Sequence, residues 1–377
     1  MAVPAGATEA GVGMTAVAQI DIRWRTGNTV GEACFSLPTG VTALIGPSGA
    51  GKTTLARLIA GLETPDTGSI AIGGQKVFDG KAHVALPAEA RAVALVPQES
   101  ALFPHMTVYE NISFSCRISE AELMDLCEKA GIRHLLDSRP HMISGGEARR
   151  VAIIRAMASA PKLLILDEPL NGLDPIRRKD MMALIRNLHR TTGQTVLMIT
   201  HQAEDMLTVA DSAVLMDGLR AAIHGPLHTV FSHPETARLL QLDDAGELIA
   251  AEICDRADGM VACALGAQKL WLPDDGEEMG SRVRLRILAR DVAISRTHID
   301  GISIINQIEC CLVHINWGDR SAALMLVPKG TDMHLTSRIT CRSLDALALR
   351  EGDTVYALIK AVAVKELVVT AKSAGDS

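Results

Sequence analysis

Residues 46–54 read GPSGAGKTT, and this stretch decides the fold. It fits the pattern G-x-x-x-x-G-K-[S/T] and lies between an apolar run, VTALI (41–45), and a helix-like run, TLARLIAGL (54–62). Glycine at three of its positions lets the backbone curl so that its N–H groups point inward, and the start of a helix favours an anion. The stretch therefore predicts a phosphate-binding loop that connects a strand to a helix.

This loop supplies candidate ligands for a nucleoside triphosphate and its metal ion. Lys52 can reach the β- and γ-phosphates, and the hydroxyl of Thr53 can bind Mg²⁺. We therefore expect ATP and Mg²⁺ as cofactors. The residues expected to bind the nucleotide here are Gly46, Pro47, Ser48, Gly49, Ala50, Gly51, Lys52, Thr53 and Thr54.

Polar side chains also follow other apolar runs. In KLLILDEP (162–169), Asp167 is placed to hold Mg²⁺ through water. Glu168 suits a general base that polarises the attacking water, which contributes on the order of 10²–10⁴ in rate. Gln98 and His201 end two more runs, where parallel sheets bind ligands. We expect Gln98 to sense the γ-phosphate or to bind the metal ion, and His201 to contact the γ-phosphate and orient Glu168.

A second glycine-containing stretch, HMISGGEARR (141–150), also has the features of a phosphate loop. Ser144, Gly145 and Gly146 offer a hydroxyl and bare backbone at the start of a helix-like run. The stretch has no lysine and no metal ligand, however, and the residues alone leave open whose phosphate it would hold.

Short apolar runs alternate with helical stretches from about residue 16 to 225. The runs are nearly all apolar, as in strands buried on both faces of a sheet. They are VTALIG (41–46), AVALVPQ (92–98), LLILDEP (163–169), TVLMIT (195–200) and SAVLMDG (212–218). We predict an α/β P-loop NTPase fold with a parallel sheet and a helical subdomain. From about residue 250, β-like segments between turn signals predict a small all-β, OB-like barrel.

Composition limits the class of protein further. The 377 residues are enough for two or three domains, and 48% of them are hydrophobic. The formal net charge is −7 with no basic block, which argues against binding to nucleic acid. We find no apolar run of the ~20 residues that a membrane span needs, and no signal peptide. The eight cysteines form no CxxC pair and are expected to be reduced thiols.

Taken together and in order, these motifs resemble those of ABC-transporter ATPases over residues 16–240. They are GPSGAGKTT, Gln98, SGGE, LLILDEP, NGLDP (171–175) and His201. Ile143 and Glu147 stand where the family usually has Leu and Gln. The resemblance implies a homodimer in which two such domains pair head to tail. Ser144, Gly145 and Gly146 of one chain would then close on the γ-phosphate held by the other, with Asp174 linking the two sites.

The resemblance also implies membrane partners. In importers of this family, the stretch after Gln98 docks onto the membrane subunits. The apolar residues of this stretch either form local core or an exposed patch that needs a partner; they are Leu102, Phe103, Met106, Val108 and Tyr109. We expect two membrane-spanning permease subunits, an indirect periplasmic or extracytoplasmic oxyanion-binding protein, and a peripheral position on the cytoplasmic face of the inner membrane.

The C-terminal sequence is similar to the TOBE/Mop-like domain of molybdate-importer ATPases. The similarity rests on a Ser-x-x-Asn stretch at 303–306 and on LIKA at 358–361. It implies an ATPase domain at 16–240, a β-rich connecting region at 250–290 and a regulatory barrel at 291–370. Polar donors suit a tetrahedral dianion, so molybdate or tungstate is expected as a regulatory ligand. The candidate oxyanion ligands are Ser303, Asn306, Ser343 and Lys360.

The leading hypothesis is therefore the ATP-hydrolysing subunit of a molybdate or tungstate importer. One alternative keeps the mechanism but carries sulfate, another oxyanion or a sugar. Two others are a DNA-repair or chromosome ATPase and an oxyanion sensor without a transport role. Trp24 is the aromatic residue nearest the first strand, and it either stacks on adenine or belongs to the core.

Overall fold

The computed structural model describes residues 16–240, 246–274, 276 and 278–370. The chain divides into two compact units, one up to residue 240 and the other from residue 241. In the described part of the chain, no helix is long and apolar enough to cross a bilayer.

The strands of the first unit, numbered in chain order, are β1 (Ala16–Thr26), β2 (Thr29–Pro38), β3 (Val41–Ile45), β4 (Thr67–Ile72), β5 (Gln75–Asp79), β6 (Val84–Ala85), β7 (Val93–Val96), β8 (Leu163–Asp167), β9 (Thr195–Ile199), β10 (Ser212–Asp217) and β11 (Arg220–Pro226). They form one eleven-stranded sheet in the order β6-β5-β4-β1-β2-β11-β10-β3-β9-β8-β7. The five apolar runs of the sequence become β3 and β7 to β10, and these strands are mutually parallel.

Helices cover both faces of this parallel part. They are α1 (Lys52–Ala60), α2 (Val108–Ser113), α3 (Glu120–Lys129), α4 (Gly145–Ala158), α5 (Pro175–Thr192), α6 (Ala203–Val209), α7 (Leu227–Ser232) and α8 (Pro234–Leu239). Leu164 and Leu166 pack into the core beneath α2 to α5, while Leu163 and Ile165 pack into the core shared with α1 and β1. Successive residues of one strand thus enter opposite cores, which is why the run is apolar throughout.

The second unit contains strands and one short helix in its described part. They are β12 (Gly246–Ala257), β13 (Met260–Leu265), β14 (Gln268–Pro273), β15 (Arg282–Leu288), β16 (Val292–Ser295), β17 (Asn306–Trp317), β18 (Ser321–Pro328), β19 (Leu335–Thr340), α9 (Cys341–Ala346), β20 (Thr354–Ile359) and β21 (Lys365–Thr370). They form two antiparallel sheets, β14-β13-β12-β15-β21 and β16-β20-β17-β18-β19. The predicted fold class, an α/β P-loop unit followed by a small all-β unit, is confirmed.

The two C-terminal segments distinguished in the sequence share one core. Buried residues from Ile249 to Val364 belong to a single cluster, and β21 pairs with β15. Residues 250–290 are therefore part of the β unit itself rather than a separate connection, because their apolar faces are covered by strands from the segment 291–370.

Candidate functional site

The phosphate loop follows β3, and its glycines have the backbone conformation that the motif needs. The φ angles of Gly46, Gly49 and Gly51 are 148°, 80° and 85°, a region that side-chain-bearing residues rarely adopt. A Cβ at Gly46 would lie 2.4 Å from the carbonyl oxygen of Met216. Glycine is therefore required at this position by both conformation and space.

Lys52 opens α1 and is buried, with 7% of its surface exposed. Its Nζ donates to the carbonyl oxygens of Gly46 and Pro47, each at 2.8 Å. Burial lowers the pKa of the Lys52 ammonium, while the charges of Glu168 and Asp167 raise it. The Lys52 ammonium group thus lies against the loop in which we expect it to bind phosphate.

Thr53 and Asp167 meet where α1 begins and β8 ends. Thr53 Oγ1 lies 3.4 Å from Asp167 Oδ1, and Asp167 is 7% exposed. Burial raises the pKa of the Asp167 carboxyl, while the hydrogen bond from Thr53 lowers it. Mg²⁺ prefers hard oxygen ligands, and a hydroxyl and a carboxylate oxygen lie side by side here. The pair therefore fits the expected metal ion.

Glu168 follows β8 with a φ of 48°, which is unusual for a residue with a side chain. Its N–H donates to the Ile199 carbonyl at 3.1 Å. Its carboxylate lies 3.3 Å from Nδ1 of His201 and accepts a bond from Asn171 Nδ2 at 3.1 Å. The predicted pair of Glu168 and His201 is thus in contact, and Asn171 joins it. Sequence reasoning missed Asn171, although it lies within the quoted NGLDP motif.

Gln98 lies two residues beyond the end of β7, and it is exposed. Its backbone carbonyl accepts a hydrogen bond from the guanidinium of Arg149 on α4. The contacts of Gln98 with phosphate and metal stay a prediction.

The SGGE stretch forms the start of α4, as expected. Ser144 is the N-cap: its Oγ accepts a bond from the N–H of Glu147, and the Glu147 carboxylate accepts from the N–H and Oγ of Ser144, each at 2.7 Å. These bonds hold the pKa of Glu147 below its usual range. The arrangement is a reciprocal capping box that stabilises the helix start.

The two glycines of this stretch are not needed by their own chain. A Cβ at Gly145 would meet nothing within 4 Å, and one at Gly146 would lie 3.7 Å from Leu173 Cδ2, an ordinary contact. Glycine weakens a helix by roughly 0.5–1 kcal/mol relative to alanine. The fold would therefore accept a side chain at Gly145 and at Gly146. With glycine at both positions, the backbone N–H groups stay uncovered.

Asp174 is the N-cap of α5, and its carboxylate accepts from the N–H of Arg177 at 3.0 Å. Further along α5, Arg178 forms a bidentate pair with Asp205 of α6, at 2.7 and 2.6 Å. Asp205 also accepts from the hydroxyl of Thr200 at 2.9 Å, and Thr200 immediately precedes His201. This buried link was not predicted, because no motif marks it.

Trp24 belongs to the core. Its side chain is 2% exposed, and its ring lies over Gly31, where a Cβ would be 2.3 Å from a ring atom. Of the two possibilities left by the sequence, adenine stacking is not supported, because the ring faces have no room for a base.

The oxyanion candidates are not all at one place in the β unit. Ser303 and Lys360 are exposed at the end of the sheet where Asn306 pairs with Ile359. Ser343 lies in α9, near the opposite end of β17, and its hydroxyl contacts that of Thr340 at 2.8 Å. Within one chain, Ser343 is therefore not grouped with Ser303 and Lys360.

Asn306 has a different use from the one expected. It is 1% exposed; its side chain accepts from the N–H of Trp271 at 2.7 Å and donates to the Trp271 carbonyl at 2.9 Å. The amide thus joins the start of β17 to β14. This corrects the expectation that Asn306 binds an oxyanion, because both ends of its amide are bonded to the chain below the surface.

Comparisons with known proteins agree with this geometry. Residues 34–171 match the family model described as ABC transporter, and residues 303–365 match the TOBE domain. A solved structure, cbiO1 from Clostridium perfringens, part of the ABC transporter complex cbiONQ, superposes with a TM-score of 0.50 at 26% identity and covers 60% of this chain and 95% of its own. The chain belongs to the ABC transporter family, as a member with a C-terminal TOBE domain.

More similar relatives narrow the comparison to one group within the family. The molybdenum import ATP-binding protein ModC of Paramagnetospirillum magneticum is 36% identical over 92% of this chain and 97% of its own length. The protein of the same name from Thiobacillus denitrificans is 39% identical over 86% and 91%. The similarity thus extends over both units of the chain.

Proposed function

We propose that this protein is the ATP-hydrolysing subunit that powers import of molybdate, or tungstate, through a membrane ABC transporter. The proposal is supported by the near full-length similarity to molybdenum import ATP-binding proteins and by the contacts of Lys52, Thr53, Asp167, Glu168 and His201. Sulfate and sugar as alternative cargoes are not favoured, because the relatives quoted above are named for molybdenum.

The observation that carries the mechanism is the bare surface of Gly145 and Gly146 beside Ser144. Nothing in the chain itself requires glycine there. A phosphate group held by another chain does require it, because backbone N–H groups must approach its oxygens closely. We infer a head-to-tail homodimer in which this surface closes on the γ-phosphate bound by the partner's loop at 46–54.

The residues then divide the chemistry of hydrolysis. The loop N–H groups and Lys52 bind and orient the β- and γ-phosphates. Thr53 and Asp167 would hold Mg²⁺, and the chemistry that the ion would supply there is neutralisation of charge on the phosphate. Glu168 accepts a hydrogen bond from the attacking water and so polarises it. His201 and Asn171 fix the direction in which the Glu168 carboxylate points. We propose that Gln98 senses the γ-phosphate or binds the metal ion.

The stretch after Gln98 has both core and exposed parts. Val108 is fully buried, whereas Tyr109 and Phe114 are 37% and 63% exposed. Phe103 packs on Phe114 at 4.8 Å between ring centroids. We propose that the exposed aromatic edge docks on two permease subunits, which places the protein at the cytoplasmic face of the membrane. An extracytoplasmic oxyanion-binding protein would deliver cargo to these permeases.

The test is uptake by vesicles that contain the reconstituted transporter, with molybdate, tungstate and sulfate compared in the presence of internal ATP. We expect molybdate and tungstate uptake to depend on ATP, and the Glu168→Gln variant to bind ATP without supporting uptake. Uptake of sulfate or a sugar without molybdate would overturn the cargo assignment. A change in the rate of ATP hydrolysis on addition of molybdate would separately test the regulatory role proposed for the β unit.

A further inference from the structure

Arg149 lies on α4, five residues beyond the N-cap Ser144, and it reaches two loops of the nucleotide site. Its Nη1 donates to the carbonyl oxygens of Glu168 at 3.2 Å, Pro169 at 3.0 Å and Asn171 at 3.2 Å. Its Nη2 donates to the carbonyl oxygen of Gln98. One planar guanidinium thus connects the helix of the SGGE stretch to the segments that contain the expected base and the expected γ-phosphate sensor.

These bonds matter because of the backbone conformation of Glu168. A φ of 48° is a sparsely populated state for a glutamate and persists only where the surroundings enforce it. The N–H of Glu168 donates to the Ile199 carbonyl, and the Glu168 carbonyl accepts from Arg149 and from the N–H of Asn171, both at 3.2 Å. Arg149 is therefore one of two donors at the carbonyl end of this residue, and the only one of the two that also reaches Gln98.

A second arginine of α4 extends the same connection. Arg155 donates to the carbonyl of Ala101 at 3.0 Å and lies 5.3 Å from the ring centre of Phe103. The segment from Gln98 to Phe103 is thus attached to α4 at both of its ends. A displacement of α4 would carry this segment with it.

We propose that Arg149 is a positioning residue that couples the SGGE helix to Gln98 and Glu168 of the same chain. It touches backbone carbonyls and acts through them. When the start of α4 meets the partner's nucleotide, Arg149 transmits the new position of the helix to the hydrolytic groups of its own chain. This inference rests on the roles proposed above for Gln98 and Glu168.

The experiment compares Arg149→Met and Arg149→Lys with the parent protein in ATP hydrolysis, nucleotide binding and thermal unfolding. A matched control is Arg186→Met, because Arg186 of α5 also donates to a backbone carbonyl, that of Thr208 at 2.9 Å, outside the nucleotide loops. Glu168→Gln serves as a reference for loss of the base. All variants are measured in the full-length chain.

We expect Arg149→Met to lower kcat on the order of ten- to a hundredfold, as for a misplacement of about 1 Å, with the KM for ATP unchanged. Arg149→Lys recovers part of kcat, because an ammonium has donors but no planar fork. If Arg149→Met does not fold, Arg149→Lys decides, since it must also lower kcat at unchanged KM.

The proposal is overturned if either Arg149 variant that folds keeps the parent kcat. It is also overturned if Arg186→Met lowers kcat by the same factor, which would make the effect one of general stability. A Glu168→Gln protein that hydrolyses ATP at the parent rate would instead contradict the proposed function, and the two failures are thereby distinguished.

Discussion

At the scale of the residue, the site depends on one strained conformation. Glu168 has a φ of 48° immediately after β8, where the chain must turn away from Asp167 and toward His201. A left-handed conformation costs a residue with a Cβ roughly 1–2 kcal/mol. The hydrogen bonds to Ile199, Arg149 and Asn171 hold Glu168 in this conformation despite its cost. A residue that relieved the strain would therefore make the fold more stable.

Two replacements of Glu168 distinguish the energetic cost of its backbone conformation from the role of its carboxylate in ATP hydrolysis. We expect Glu168→Gly to be more stable than Glu168→Ala by up to about 1 kcal/mol, because both lack the carboxylate but only glycine relieves the strain. Neither variant should hydrolyse ATP. Urea unfolding gives the stability difference, and phosphate release gives the activity. Because glycine itself costs roughly 0.5–1 kcal/mol relative to alanine, a Glu168→Gly protein less stable than Glu168→Ala by that amount would show that Glu168 is not strained.

At the scale of the element, α5 is joined to α6 and to the end of β9 by one buried ion pair. Arg178 and Asp205 are bonded through two pairs of atoms, and Asp205 also holds Thr200. Asp174 begins α5 and His201 follows Thr200. The helix that starts at the expected dimer contact is therefore connected, through Asp205 and Thr200, to a residue of the candidate catalytic site.

Removal of the charge on Asp205 tests this connection. Asp205→Asn should destabilise the protein by about 3 kcal/mol, since it removes the negative charge from a largely buried, bidentate ion pair. It should also lower kcat, because Thr200 and His201 lose their support. The control is Asp125→Asn, which removes an exposed ion pair with Lys129 and should cost less than about 1 kcal/mol. Urea denaturation that gave equal losses would contradict this account.

The elements show what the sequence could and could not predict. The parallel strands were evident because their runs are nearly all apolar; β3, β8, β9 and β10 are buried on both faces, whereas β7 at the edge of the sheet is only partly buried. The phosphate loop at 46–54 was evident because its glycines and Lys52 act within a few residues of one another. Arg149 and Asp205 were not evident, because their partners are distant in sequence and, for Arg149, are backbone carbonyls that carry no sequence signal. Asn306 was misread for the same reason: its partner is the backbone of Trp271.

At the scale of the whole molecule, the two units raise different questions. The first has the contacts of a nucleotide site but exposes Ser144 and two unneeded glycines, as a half-site would. The second has one continuous core from Ile249 to Val364, and its oxyanion candidates lie at separate ends of β17. The first observation supports the head-to-tail homodimer proposed above.

Substitution at Gly146 tests the pairing without disturbing the fold. Gly146→Ala should leave the stability unchanged or raise it by up to about 1 kcal/mol, because its Cβ would meet only Leu173 at ordinary contact distance. Gly146→Leu should weaken ATP-driven dimerisation at least about tenfold, or ~1.4 kcal/mol, since the side chain fills the surface meant for the partner's phosphate. Sedimentation with ATP, in a Glu168→Gln background that slows hydrolysis, measures the dimer, and thermal unfolding without ATP is the control. A Gly146→Leu protein that dimerises with parental affinity would mean that this surface does not meet the partner's nucleotide.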